Sequence, residues 1–180
     1  MSDYKDIMEG GMKWLEANDL DRFYDYLVNE KKVSVEVGYI TRFLEECGIN
    51  TLASLRSGCV PRWFGLGNLP KSMLTDGCLK FPPNIYFISE DAFAGVRLEC
   101  LDLRNIDSVQ EGAFISCKFN HIYLSDKAYN YDDGALYSSS AGIIHIPKDM
   151  DMEIAKELIA RLYAKNIVVW NDNIEGVERY

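Results

Sequence analysis

Cys78, Cys100 and His121 stand 22 and 21 residues apart, and Asp102, Tyr123 and His145 repeat nearly the same spacing, 21 and then 22. Thiol and imidazole side chains ligate zinc, so a chain that folds with that period would line up three potential ligands in one column. Zinc asks for a tetrahedron of ligands at about 2.0–2.3 Å, whereas neighbouring strands spread their side chains into a ladder. The expectation is therefore no metal and no cofactor. Five cysteines, at 47, 59, 78, 100 and 117, form an odd set without CxxC spacing and read as reduced thiols in a reducing compartment. Cys117 is expected to pack inside as a small apolar residue.

Nucleophilic catalysis needs a base beside a nucleophile, and His121 and His145 are the only histidines. The nearest hydroxyls, Ser138 to Ser140, lack a Gly-x-Ser-x-Gly elbow and a placed acid, so they read as loop. Gly65-Leu66-Gly67 lacks the third glycine of a phosphate cradle and reads as a turn. The acid pairs Glu45-Glu46, Glu90-Asp91 and Asp132-Asp133 have no defined spacing around a pocket and read as solvated charge. No nucleophile, base and stabiliser come together, and the chain reads as a non-enzyme.

The elements that would position these residues change character along the chain. Tyr4, Ile7, Met8, Met12 and Leu15 share one helical face. Leu20, Phe23, Tyr24, Leu27 and Val28 repeat that pattern, with Asp19 as N-cap, and Val37, Ile40, Phe43, Leu44 and Cys47 mark a third helix between Ser34 and Gly48. Beyond about residue 57 the helical period gives way to a longer one. Apolar pairs with one residue between them occur at Leu79/Phe81, Leu101/Leu103, Ile122/Leu124, Ile144/Ile146 and Ile167/Val169, starting 22, 21, 22 and 23 residues apart. Ile88 with Ala92-Phe93 and Val109 with Ala113-Phe114 keep the same beat, and Val60 to Phe64 and Leu69 to Leu74 are weaker echoes. A fixed period of this length predicts a solenoid, each turn giving one short strand and a return segment that buries its apolar side only against its neighbours. The last return, Met150 to Lys165, has helical spacing and is expected to cross between parallel strands, capped by Asp149 or Asp151.

The stretches LKFPPNIYFISEDAF (79–93), LDLRNIDSVQEGAFISC (101–117) and IIHIP (143–147) resemble BspA-type leucine-rich repeats, over roughly residues 60–170. The resemblance implies an α+β leucine-rich-repeat solenoid of short parallel strands and is nearly silent on function. Residues 125–142 lack the Ala-Phe landmark and predict an irregular turn. Residues 1–50 match nothing in the repeat, and residues 1–56 are expected to form a helical cap over the open apolar end of a solenoid spanning 57–180.

That register turns Lys80, Asp102, Tyr123, His145 and Val168 outward, flanked by Arg104, His121 and Trp170, with Tyr129 and Tyr131 at the edge. Tyr, Trp, Arg and His are the residue types favoured as binding anchors. The expected function is noncatalytic binding of a protein partner through this sheet face. Lys and Arg number 19 against 28 Asp and Glu, a net charge of −9, and no basic cluster occurs to grip a nucleic-acid backbone. The charge suggests an alternative: a small acidic inhibitor, of the viral or mobile-element type, occupying a host protein's nucleic-acid site with carboxylates in place of phosphates. No stretch approaches the ~20 apolar residues of a membrane span, and the acidic start is unlike a signal peptide, so the expected location is cytoplasmic.

Overall fold

The five apolar pairs become five neighbouring rungs. In the computed structural model, which describes residues 9–14, 19–31, 52, 55, 57–62, 64–65, 69, 73–160, 163–170 and 176–178, Leu79 pairs with Leu101, Leu101 with Ile122, Ile122 with Ile144, and Ile144 with Ile167, all in parallel register. The strands in chain order are β1 (Cys59–Val60), β2 (Leu74–Thr75), β3 (Cys78–Lys80), β4 (Phe87–Ile88), β5 (Arg97–Asp102), β6 (Ser108–Val109), β7 (Lys118–Tyr123), β8 (Ser140–Pro147), β9 (Tyr163–Trp170) and β10 (Gly176–Glu178). Seven form one sheet in the order β10-β9-β8-β7-β5-β3-β2, antiparallel only at its two ends. Three form a second, parallel sheet in the order β1-β4-β6, which Tyr131 extends by a bridge to Val109. The architecture is a β-solenoid of about three turns with few helices.

Alternation puts both members of the first four pairs inside: Leu79, Leu101, Leu103, Ile122, Ile144 and Ile146 are fully buried, and Phe81 and Leu124 nearly so. Each such side chain contributes about 1.5–3 kcal/mol by leaving water. The returns supply the opposite wall. Ile88 and Val109 are buried register partners, and the rings of Phe93 and Phe114 stack with centroids 5.2 Å apart. The backbone follows the same ladder, Phe93 N–H donating to Ala113 O and Phe114 N–H to Ala135 O.

The last of these bonds corrects one expectation. Residues 125–142 make a regular turn in which Ala135-Leu136 takes the place of Ala-Phe, and Leu136 is buried. Gly95, Ser116 and Ser138 share the matching left-handed corner, with φ of +77°, +58° and +57°. Ser139 is no loose loop hydroxyl either: wholly buried, it donates to Phe114 O and accepts from Cys117 N–H at 2.9 Å. At the other end Val60 pairs with Ile88 and Phe64 meets Phe93 edge-on, so this rung lies 28 residues before its neighbour rather than 21. The extra length includes a hairpin joining β2 and β3 through Asp76-Gly77, both at positive φ as a two-residue turn requires.

Residues 9–14 are helical, and α1 (Leu20–Asp25) is capped by Asp19, whose carboxylate accepts from Arg22 N–H, before continuing as a π-helical turn, Tyr26–Glu30. Phe23, Tyr26 and Leu27 are buried in the same apolar cluster as Leu55, Val60 and Phe64. Asp21 ties this helix to the chain entering β1 by accepting from Ser57 N–H and Oγ–H. The expected third helix, 34–48, lies outside the described residues. Helix α2 (Met152–Ala160) is the crossover between β8 and β9, and Asp151 accepts from Glu153 N–H at its start. Among the described residues no helix is long and apolar enough to cross a membrane.

Candidate functional site

Parallel strands in strict register stack equivalent outward positions about 4.8 Å apart. One outward column holds Cys78, Cys100, His121 and Ile143, and the next holds Lys80, Asp102, Tyr123 and His145. Within that grid five side chains are joined. Asp102 accepts from Arg104 Nε at 2.9 Å and from Nη2 at 2.6 Å, a bidentate pair. The Arg104 guanidinium lies 5.2 Å from the centre of the Tyr123 ring. Tyr123 stacks on His145 with centroids 4.0 Å apart, and His121 Nδ1 lies 3.1 Å from His145 Nε2, one ring donating its N–H to the other. The result is a continuous row, Asp102–Arg104–Tyr123–His145–His121, crossing three strands obliquely.

The row is more enclosed than an ordinary sheet surface. Asp102 is only 9% exposed and His145 7%, while Tyr123 and His121 are half-buried and Lys80 is exposed. Burial alone would push the Asp102 carboxyl up, but the Arg104 hydrogen bonds and charge, with Lys80 nearby, outweigh it and hold the group below its ordinary value. The same pairing raises Arg104. Beside Arg104 opens a polar cleft of about 380 Å³, lined by Asn105, Asp107, Ser125, Asp126 and Lys127, with Lys127 Nζ 2.7 Å from Asp107.

Of the residues expected on the binding face, Asp102, Arg104, His121, Tyr123 and His145 come together, and Lys80 stands at the next register position to Asp102. Trp170 ends β9 as the register partner of Pro147; its side chain lies outside the described residues. Tyr129 is 61% exposed on a 3-10 turn, Ala128–Asn130. Tyr131 is a correction: it is 6% exposed and forms the fourth rung of the second sheet, because its apolar ring continues the Val60, Ile88, Val109 column.

The cysteines bring a second correction. Cys78 and Cys100 are joined as a disulfide rather than held as thiols, their register pairing on adjacent strands bringing the sulfurs together. Cys117 is buried as expected; desolvation pushes its thiol up to about 12, and it donates to Phe93 O. Cys59 is half-buried, with its Sγ 3.1 Å from Ser89 Oγ, and desolvation raises it too. Among the described residues no three of His, Cys, Asp and Glu stand ready to hold a metal ion.

The fold and this face define a β-solenoid with an open parallel sheet carrying one connected polar and aromatic row. No family model, curated protein or solved structure matches the chain.

Proposed function

We propose that this chain is a noncatalytic protein-binding module, a leucine-rich-repeat solenoid of the BspA type whose N-terminal helices cap one end. The supporting observation is the row from Asp102 to His121: an arginine and three rings pre-positioned by one another on an open sheet face. Rings and guanidinium groups already held in place lose little conformational freedom on binding, which is what makes such residues effective anchors. The partner is a protein that lays an extended or loop segment across β5, β7 and β8. Immobilised chain and its Arg104→Ala/Tyr123→Ala variant, both shown folded by circular dichroism, are compared in capture from the native source. A protein retained by the parent and lost by the variant supports the reading, and equal retention contradicts it.

A second reading rests on the opposite wall. Glu90 and Asp91, Glu111, then Asp132 and Asp133 follow one another along the turns, linked by Glu111 N–H donating to Asp132 and by Arg62 bridging Glu90 and Asp91. Such an edge suits the small acidic inhibitor that blocks a nucleic-acid-binding protein. Capture abolished by moderate salt and by added DNA favours this edge, while salt-resistant capture favours the aromatic row.

A further inference from the structure

The ladder puts Cys100 and His121 in one outward column and His145 in the next, but the side chains do not stay in their columns. His145 lies one strand over and one outward position along from His121, and its ring leans back so that Nε2 is 3.1 Å from His121 Nδ1. Two nitrogens bound to one tetrahedral zinc at about 2.0–2.1 Å are about 3.3 Å apart. The two imidazoles thus already hold opposed nitrogens near a ligand-pair separation. On the other side of His121, Cys100 is its register partner on the same face, about 4.8 Å away along the sheet. Its sulfur is engaged by Cys78. While that bond stands Cys100 offers no thiolate, which makes the disulfide the element that decides whether a third ligand is available.

We propose that Cys100, His121 and His145 form a redox-gated site for a dication of the zinc type, closed by the Cys78–Cys100 disulfide and opened when a dithiol reductant splits it. The reductant passes two electrons and two protons to the disulfide, becoming a cyclic disulfide itself and leaving Cys78 and Cys100 as thiols. On metal binding Cys100 loses its Sγ–H proton to solvent. The N–H proton shared by the two rings is carried by solvent to the far nitrogen of its own ring, freeing both facing nitrogens as ligands. The metal keeps its oxidation state, and its fourth position is filled by water or by Cys78, which then also loses its Sγ–H proton to solvent. Thiolate and imidazole together select zinc-type metals over magnesium or calcium. Tyr123, stacked on His145 within 5° of parallel, holds one ligand ring in its plane.

Cobalt(II) is the probe, because a bound thiolate adds a near-ultraviolet charge-transfer band. The oxidised chain, the chain reduced by a dithiol that is then removed under argon, and Cys78→Ser are each titrated. The expected result is one cobalt per chain with the charge-transfer band in the reduced chain, and the same in Cys78→Ser without any reductant. The oxidised chain shows no band, and Cys100→Ser shows none under either condition. His121→Asn and His145→Gln, which keep size and polarity, weaken binding at least tenfold. Absence of a band from both reduced chain and Cys78→Ser overturns the proposal, as does undiminished binding in both histidine variants. Should a histidine variant fail to fold, zinc protection of His121 and His145 from diethyl pyrocarbonate in Cys78→Ser decides instead: protection supports the site, and equal modification with and without zinc contradicts it.

Discussion

Tyr123 and His145 occupy paired positions on β7 and β8 and stack with ring centroids 4.0 Å apart, their planes 5° from parallel. Register alone brings the two rings to a common face, and Arg104 and His121 lie at either end of the stack. An aromatic pair of this kind contributes about 0.5–1.5 kcal/mol beyond the area it buries. Tyr123→Leu, which keeps apolar bulk, is therefore expected to lower the melting temperature by a few degrees for a chain of this size. A circular-dichroism melt checks this, and an unchanged midpoint means that the row is not a packed unit.

The rungs themselves carry far more. Ile122→Ala empties a fully buried position between Leu101 and Ile144 and is expected to cost about 2–5 kcal/mol. Lys80→Ala, at an exposed position, should stay within about 0.5 kcal/mol of the parent. Urea unfolding midpoints compare the two, and similar losses would contradict the inward and outward assignment.

Asp102 links stability to pH. Its carboxyl is held below the ordinary value in the folded chain, so its contribution is present above the unfolded value of about 3.9 and is lost as pH falls through the lower folded value. Asp102→Asn removes that dependence. The parent should exceed the variant in stability at pH 6, and the gap should close as urea titrations move down through pH 4 toward pH 2. A constant gap would mean that Arg104 does not favour the charged form.

Cys117 supplies a test by reactivity. With its thiol pushed up to about 12 and its sulfur donating to Phe93 O, it should resist a maleimide at pH 8 in the folded chain and react only after denaturation. Peptide mapping after brief labelling reads this out. The alkaline counterpart has the opposite sign from Asp102: stability from the neutral thiol is complete below the unfolded value of about 8.5 and is lost as pH rises toward 12.

How far the sequence spoke depends on which contact is considered. The column Leu79, Leu101, Ile122, Ile144, Ile167 was legible because two apolar residues flanking one other residue mark a strand, and an even spacing repeats it. Leu136 was not, since a leucine in the Phe93 and Phe114 position erases the landmark while filling the same space. Asp76-Gly77 carried the two-residue hairpin signal openly, and the weak repeat echo around Leu69 to Leu74 obscured it. Tyr131 sits in polar sequence, and only its place in the second sheet explains its burial. The period already puts Cys78 and Cys100 in one column, but the odd cysteine count without CxxC spacing points to reduced thiols and so away from their bond. The His121–His145 contact was missed for a geometric reason: column reasoning pairs positions directly across strands, and imidazoles also reach the diagonal neighbour.

The proposed recognition row and the proposed metal site both depend on the strands standing side by side in chain order. Methyl-to-methyl nuclear Overhauser contacts in selectively labelled protein measure that order directly. The predicted pattern is a chain of contacts from Leu79 to Leu101, Leu101 to Ile122 and Ile122 to Ile144, without a direct contact from Leu79 to Ile144. Contacts that skip or reverse this order would contradict the solenoid and everything placed on its outer face.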